Sequence, residues 1–451
     1  MSGTLSKSLG LRTLTSTSAG LAFACVNFLA CVQVATAVDG ANGAWIALLT
    51  AGILCTISAL FFAELNGLYP SAAAIRVWMG KAIGETFALT ATFLYMTTVI
   101  WVIAADSFVL AKAVHAGIPA VPGLVWIVLF LGLATLANLR GVKVAGMIQD
   151  LTTFTLLGSL AIISIASLAH QGFHIAAPFS FGGAGGSGPL NFLQAVALGV
   201  FIYIGFEWIT PMAEEATNSR LIPKGMFFGI ILVGSGFILF TLAMTNLIPA
   251  HLLGQSLVPQ LIVGREAFGA FGFWWMLVVS AITAMTTFNG GFVTASRFIY
   301  AAGRERSLPP VFSRLNRHLV PDFALLVLFS LTLVLAVVVY LTGAYFVLLY
   351  AGAALEGLMY AVAAYCVISL RRREPDRPRP FRIWGGTVVP WVGLVIFTVL
   401  GFGAGATDYW SLVFLAVLAI LVVYYSVKVV PRIRQKYASS RRRTSRPAVG
   451  G

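Results

Sequence analysis

An all-α membrane protein of twelve transmembrane helices is the fold class this sequence predicts, and three observations predict it. Hydrophobic residues make up 59% of the chain and charged residues 10%, where soluble domains carry about 25% charged. A chain this apolar cannot cover a water-soluble core with polar surface. Runs of about 20 apolar residues, the length at which a helix crosses a bilayer, recur twelve times. Taking those runs as spans puts 27 of the 29 Lys and Arg residues on one side of the membrane, the positive-inside bias of cytoplasmic loops.

A basic tail, residues 1–13, comes first. The spans then run over 14–37, 43–68, 86–111, 122–138, 146–169, 191–213, 225–248, 269–300, 323–342, 345–370, 387–405 and 409–430. The fourth is short, and only Thr342-Gly343 separates the ninth from the tenth. Lys112 and Arg265 are the two cations left on the outer side, so both termini are expected in the cytoplasm. The final tail, 431–451, carries Arg441-Arg-Arg-Thr-Ser-Arg446 and reads as a disordered end drawn to lipid headgroups. Net charge is +14; its place in short loops and the tail points to topology and lipid, not to nucleic acid. Cys25, Cys31, Cys55 and Cys366 all lie in apolar segments, which argues against a disulfide framework or a zinc site. His115, His170, His174, His251 and His318 fall in loops without metal-ligand spacing. The first apolar segment is too long and polar-spotted for a cleavable signal peptide. Trp274, Trp275, Trp391 and Trp410 are expected as interfacial anchors.

Phe201-Ile-Tyr-Ile-Gly-Phe-Glu-Trp-Ile-Thr-Pro211 is the most informative stretch. It places Gly205, Glu207 and Pro211 inside a spanning segment. Such a break survives only where freed backbone groups are buried in protein or face a water-filled cavity. A carboxylate at that depth marks a functional site by default, and a broken helix beside it is how many secondary transporters hold substrate. The alternative is a proline-kinked packing helix with Glu207 bonded to a neighbour. Phe201, Tyr203, Phe206 and Trp208 cluster here and could cap a cation through their ring faces. Asp106 in the third span and Glu356 in the tenth are two further intramembrane acids. Their plain reading is a hydroxyl partner on a neighbouring span. Asn289-Gly290-Gly291 in the eighth span lets backbones approach closely. Glu64, Asp150, Glu214 and Glu215 sit at cytoplasmic ends and are expected to pair with Arg76, Arg140 and Lys224.

Four further motifs carry a resemblance. They are Phe62-Ala-Glu-Leu65 with Tyr69-Pro-Ser71; Gly205-Phe-Glu207 with Ala213-Glu-Glu-Ala-Thr-Asn218 and Ile222-Pro-Lys224; Ala295-Ser-Arg-Phe-Ile-Tyr-Ala-Ala-Gly-Arg-Glu-Arg-Ser-Leu-Pro-Pro310; and Arg371-Arg-Arg-Glu-Pro-Asp-Arg-Pro-Arg-Pro-Phe-Arg382. In this order and spacing the chain resembles the amino acid–polyamine–organocation (APC) superfamily. The resemblance implies a LeuT-like fold of two inverted five-helix repeats, here 14–169 and 191–370, plus two C-terminal helices, 387–430. An odd number of spans per repeat forces the inversion, and Phe181-Gly-Gly-Ala-Gly-Gly-Ser-Gly-Pro189 is the flexible linker between them. The resemblance also implies helices 1 and 6 unwound at a substrate site. The lining residues would be Asn27, Asp106, Phe201, Tyr203, Gly205, Phe206, Glu207, Asn289, Gly291 and Glu356.

One departure bears on the substrate. The family breaks helix 1 at a Gly-Ser-Gly type sequence whose bare amides hold the substrate carboxylate. Here the matching position is Asn27-Phe28-Leu29, and no glycine lies between Gly20 and Gly40. Either helix 1 unwinds using Asn27, or that cradle is missing. Together with the three intramembrane acids this points to small cationic nitrogen compounds: an amine, a polyamine or a cationic amino acid. The alternative substrate is an ordinary amino acid, and a transporter-like nutrient sensor is the rival from another class. Some family members carry a coupling lysine in helix 5; the matching position is near Leu156, so lysine-based proton coupling is not expected. The chain shows no phosphate loop, His-Glu-x-x-His or Gly-x-Ser-x-Gly, so no catalytic residue, metal or cofactor is expected. The expected partners are the substrate and the lipid bilayer, with a homodimer allowed. The expected location is the plasma membrane, the inner membrane of a bacterium.

Overall fold

The computed structural model describes residues 7–38, 41–171 and 188–444. Its elements are helical, with one isolated bridge pairing Leu9 to Ala216 among the described residues. Most of the glycine-rich linker (181–187), together with His174, lies outside them.

Two halves, α1 (Leu11–Ala22) and α2 (Val26–Ala37), form the first span and are bent by 61° at Phe23–Cys25. Then come α3 (Ala41–Leu68), short α4 (Ile75–Ala82), α5 (Glu85–Gly117), α6 (Gly123–Leu139) and α7 (Val142–Gln171). The second half opens with α8 (Pro189–Tyr203), which passes through Ile204-Gly205 into a tighter 3₁₀ segment, Phe206–Glu214. After it run α9 (Leu221–Leu247), short α10 (Ala250–Leu253), α11 (Pro259–Arg304), α12 (Asp322–Thr342) and α13 (Tyr345–Arg373). The chain ends in α14 (Val388–Ala406), α15 (Tyr409–Tyr424), a π turn (Tyr425–Val429) and α16 (Val430–Thr444).

Among the described residues ten stretches are each long and apolar enough to cross a membrane, and α1 with α2 makes an eleventh. The predicted fourth span, α6, is apolar but 17 residues long, a rise of about 25 Å at the low end of spanning length. The predicted eighth span is the longer part of α11. Phe268 and Gly269 interrupt that helix, with Gly269 at φ +58°, and residues 259–267 fold against it at Gly264 and Gly272.

Small residues set the helix packing, as expected where lipid removes the hydrophobic drive between helices. At the α13–α14 contact a side chain on Gly357 would meet Gly401 Cα at 2.8 Å. Helix α5 packs against α11, α12 and α13, while α1 packs against α7, α9 and α11. The buried members are α1, α2, α5, α8 and α13. Exposed apolar residues such as Leu133, Leu151, Val334, Val395 and Ile420 line the lipid-facing helices. Trp274, Trp391 and Trp410 are exposed as expected of anchors, whereas Trp275 is half-buried. The four cysteines are buried and unpaired.

Candidate functional site

The first helix breaks without glycine, one turn before the position the sequence suggested. The break falls at Phe23-Ala24-Cys25, and Asn27 sits in the first turn of α2. Side chains from other elements satisfy the freed backbone. Asn27 Nδ2 donates to the carbonyls of Ala22 and Ile202, the latter at 3.1 Å. Thr287 Oγ1 donates to the Phe23 carbonyl at 2.9 Å. The amide of Val26, the first of α2, donates to Asp106 Oδ1 at 3.0 Å. A helix N-terminus carries a partial positive charge and unsatisfied N–H groups, so Asp106 meets both needs at once. Its Oδ2 is buried and has no hydrogen bond.

The second break touches the first. Gly205 holds φ +128°, a backbone that side chains rarely adopt. A Cβ there would lie 2.8 Å from Leu21 Cβ and 3.0 Å from the Ala22 amide. Ser18 Oγ donates to the Phe206 carbonyl at 3.1 Å, so the two broken helices are stitched at their breaks.

Below Gly205, Glu207 accepts from the Tyr95 hydroxyl at 2.8 Å and the Tyr360 hydroxyl at 3.1 Å. Glu356 Oε1 accepts from Thr98 Oγ1 at 3.0 Å and Trp208 Nε1 at 3.4 Å, and its Oε2 has no partner. Tyr95 stacks on Trp208, ring centroids 4.4 Å apart. Asp106, Glu207 and Glu356 are all fully buried. Among the described residues none of the three has an ion-pair partner.

Of the residues singled out from the sequence, the breaks gather Asn27, Asp106, Gly205, Phe206, Glu207 and Glu356. Phe206 lies edge-on to Phe62 and tilted on Tyr360. Phe201 packs beside Gly352, one turn before Glu356. Gly291 lets α11 close on Ile103 and Leu21. Tyr203 points away, donating to the Leu48 carbonyl at 3.0 Å. Asn289 is also apart. It donates to the Ala145 carbonyl and Gln149 Oε1, and accepts from Asn138, in a network joining α6, α7 and α11. Tyr95, Thr98 and Tyr360 escaped the sequence reading, because hydroxyls on apolar helices give no signal until the helices are packed.

The acids at the basic end are ion-paired, but not to the expected partners. Arg371 holds Glu64 at 2.6 Å, with Arg379 at 3.4 Å. Arg297 holds Glu215 at 2.8 Å with both side chains buried. Arg304 holds Glu214 at 2.7 Å, and exposed Arg12 holds Asp150 at 3.1 Å. Arg76 goes instead to Glu85 and Glu305. The Glu215 carbonyl accepts from the Ser8 and Leu9 amides, so the N-terminal segment closes over this pair. Beside it the Tyr69 hydroxyl donates to Glu374 at 2.6 Å; this bond and nearby Arg377 hold the Glu374 carboxyl below its ordinary value. Among the described residues no cluster of His, Cys, Asp and Glu could hold a metal ion.

The model of the family described as amino acid permease matches residues 18–436. The chain belongs to this amino acid permease family, within the APC superfamily. It is therefore an integral membrane transporter and not an enzyme. The permease is 26% identical to the gamma-aminobutyric acid permease of Escherichia coli, over 79% of this chain and 78% of that protein. It is 27% identical to large neutral amino acids transporter small subunit 2 of Mus musculus, over 77% of this chain and 68% of that protein. A solved structure of a Na⁺-coupled sialic acid symporter, substrate-bound and outward-open, aligns with TM-score 0.55 over 89% of this chain and 90% of that one. At 13% identity that likeness shows the LeuT-like fold alone.

Proposed function

We propose that this permease carries small cationic nitrogen compounds, such as a diamine, a polyamine or another small amine, by alternating access around the two breaks. Asp106 carries the reading. The family resemblance implies that helix 1 amides hold the carboxylate of an amino acid substrate. Here the Val26 amide is already taken by the protein's own carboxylate, so the substrate needs none. The free, buried Oδ2 then attracts an ammonium group, since a buried carboxylate oxygen without a donor is costly. The ten lining residues named from the sequence are proposed on the same footing, with Tyr203 and Asn289 as supports and not contacts. The broken spans that begin each half, α1–α2 and α8 with its 3₁₀ segment, support reading 14–169 and 191–370 as inverted repeats. The charge bias supports both termini in the cytoplasm of a bacterial cell. An ordinary amino acid is the second reading, favoured by the substrates in the names of the two relatives above.

A thermal-shift screen of amines against amino acids, followed by flux of the best ligand in proteoliposomes, decides between the two. Under the amine reading putrescine competes for uptake, and Asp106→Asn abolishes amine binding in a folded, monodisperse protein. Binding by Asp106→Asn within twofold of wild type, about 0.4 kcal/mol, or robust leucine uptake untouched by putrescine, sinks it.

A further inference from the structure

The pairings at the basic end leave Arg220 and Lys224 without an acidic partner among the described residues. Both line a cavity of about 540 Å³ between α3, the linker before α9, α9 itself and the loop before α14. That size falls among ligand pockets, about 300–1,000 Å³. Asn66 of α3 forms part of its wall; the residue is 1% exposed and its Oδ1 has no hydrogen-bond donor. Ser219 and Arg220 come from the linker, Lys224 and Phe227 from α9, and Phe381 from the loop. No acid lines the cavity among the described residues. Lys224 follows Arg220 by four residues at the start of α9, so two like charges share one face at the positive end of that helix. Both arrangements cost free energy unless an anion is present. The positive-inside bias accounts for cations at this end. It does not account for two of them converging on a buried amide that lacks a donor.

We propose that this cavity binds one anionic glycerophospholipid whose headgroup carries free hydroxyls, of the phosphatidylglycerol type. Its phosphate sits between Arg220 and Lys224, which relieves their repulsion and suits the helix N-terminus. A headgroup hydroxyl donates to Asn66 Oδ1, an acceptor otherwise buried and unmet. A lipid fits better than a free phosphate because α9 provides a path for the rest of the molecule. Lys224, Phe227, Phe228 and Ile231 fall on one helical stripe. Phe227 lines the cavity, and Phe228 and Ile231 are 47% and 60% exposed on the apolar surface beyond it. An acyl chain leaving the phosphate runs along that stripe. Basic pockets between helices at the membrane surface hold lipid headgroups by this combination of charge and apolar wall. The site requires only that the chain spans a membrane, so it holds whichever substrate the permease carries.

Native mass spectrometry and thermal melts of the delipidated protein in neutral detergent, titrated with phosphatidylglycerol, test the site. The lipid should bind once, saturably, and raise the melting temperature, whereas phosphatidylcholine should do neither. Arg220→Gln with Lys224→Gln should weaken binding about 30-fold, equivalent to about 2 kcal/mol. Arg140→Gln with Lys143→Gln removes the same charge from another exposed loop and should leave binding unchanged. Phosphatidylmethanol keeps the charge but lacks headgroup hydroxyls. It should bind wild type about fivefold more weakly, the worth of one hydrogen bond, and Asn66→Ala should bind the two lipids equally. If Asn66→Ala does not fold, the two cation pairs and the two lipids on wild type still decide. Equal losses in the two cation pairs, or no loss in either, overturn the site. Equal affinity of wild type for the two lipids overturns the contact with Asn66. Equal protection by inorganic phosphate or glycerol 3-phosphate at the lipid's concentration shows a free-anion site and overturns the lipid.

Discussion

Replacing Arg297 by Leu should open the basic end of the permease. Arg297 and Glu215 are bidentate at 2.8 and 3.0 Å, with side chains 1% exposed. Removing the guanidinium leaves a buried, unpaired carboxylate, which costs about 3–5 kcal/mol. In the closed state that charge stays dry, and it is hydrated only if the seam between α11 and the linker after the 3₁₀ segment parts. The same linker holds the N-terminal segment through the Glu215 carbonyl. At 1.36 kcal/mol per decade, closure should weaken by a factor of roughly 10²–10⁴, enough to reverse a conformational equilibrium of a few kcal/mol. Cys25, at the first break and fully buried, reports the change. In a background with Cys31, Cys55 and Cys366 replaced by Ala, N-ethylmaleimide should label Cys25 slowly in the parent and rapidly in Arg297→Leu. Arg297→Leu with Glu215→Leu removes both charges and should restore slow labelling. Unchanged labelling in the single variant would refute the reasoning, since it would mean no buried charge was left behind.

Gly205→Ala should lower the melting temperature in detergent: the positive φ alone costs about 1–2 kcal/mol with a side chain, before the contact with Leu21; an unchanged melt would mean the break does not need glycine. At the basic end, Glu374 is held below its ordinary 4.5 chiefly by Tyr69, so its contribution is present above pH 4.5 and lost as pH falls below it. Tyr69→Phe should therefore melt below wild type at neutral pH and converge with it in acid, and a pH-independent gap would contradict this.

The spans were legible because bilayer thickness forces about 20 apolar residues into one run, and charge bias needs no packing to be read. The second break was legible too, because Gly205 and Pro211 are breakers in their own right. The first break was legible only through the family resemblance, which put it near Asn27, one turn late. Phe23, Ala24 and Cys25 have no intrinsic tendency to unwind, and the bend rests on the adjacent Asn27 and on Asp106 and Thr287 brought in from α5 and α11. Pairings at the basic end were misread for a related reason. Glu64 was matched to a cation nearby in sequence, whereas its partners, Arg371 and Arg379, come from the far end of the chain. The predicted cluster was also too wide. Tyr203 and Asn289 share segments with the breaks but point to other helices.

What ties the site together is one unbroken helix. Tyr95 and Asp106 are eleven residues apart on α5, just over three turns, so they share a face about 16.5 Å apart. Tyr95 meets the second break through Glu207 and its stack on Trp208; Asp106 meets the first break through the Val26 amide. The broken helices are joined to each other at Asn27–Ile202 and Ser18–Phe206. Each break is therefore held to its counterpart and to α5, with a further bond from Thr287 on α11 at the first and from Tyr360 on α13 at the second. A motion that slides both broken helices together along α5 keeps the bonds between them and exchanges those to Tyr95, Asp106, Thr287 and Tyr360. A motion that parts the breaks loses the stitches and exposes the Ile202 and Phe206 carbonyls. The bonds between the breaks and those to α5 thus fix both broken helices against one continuous element.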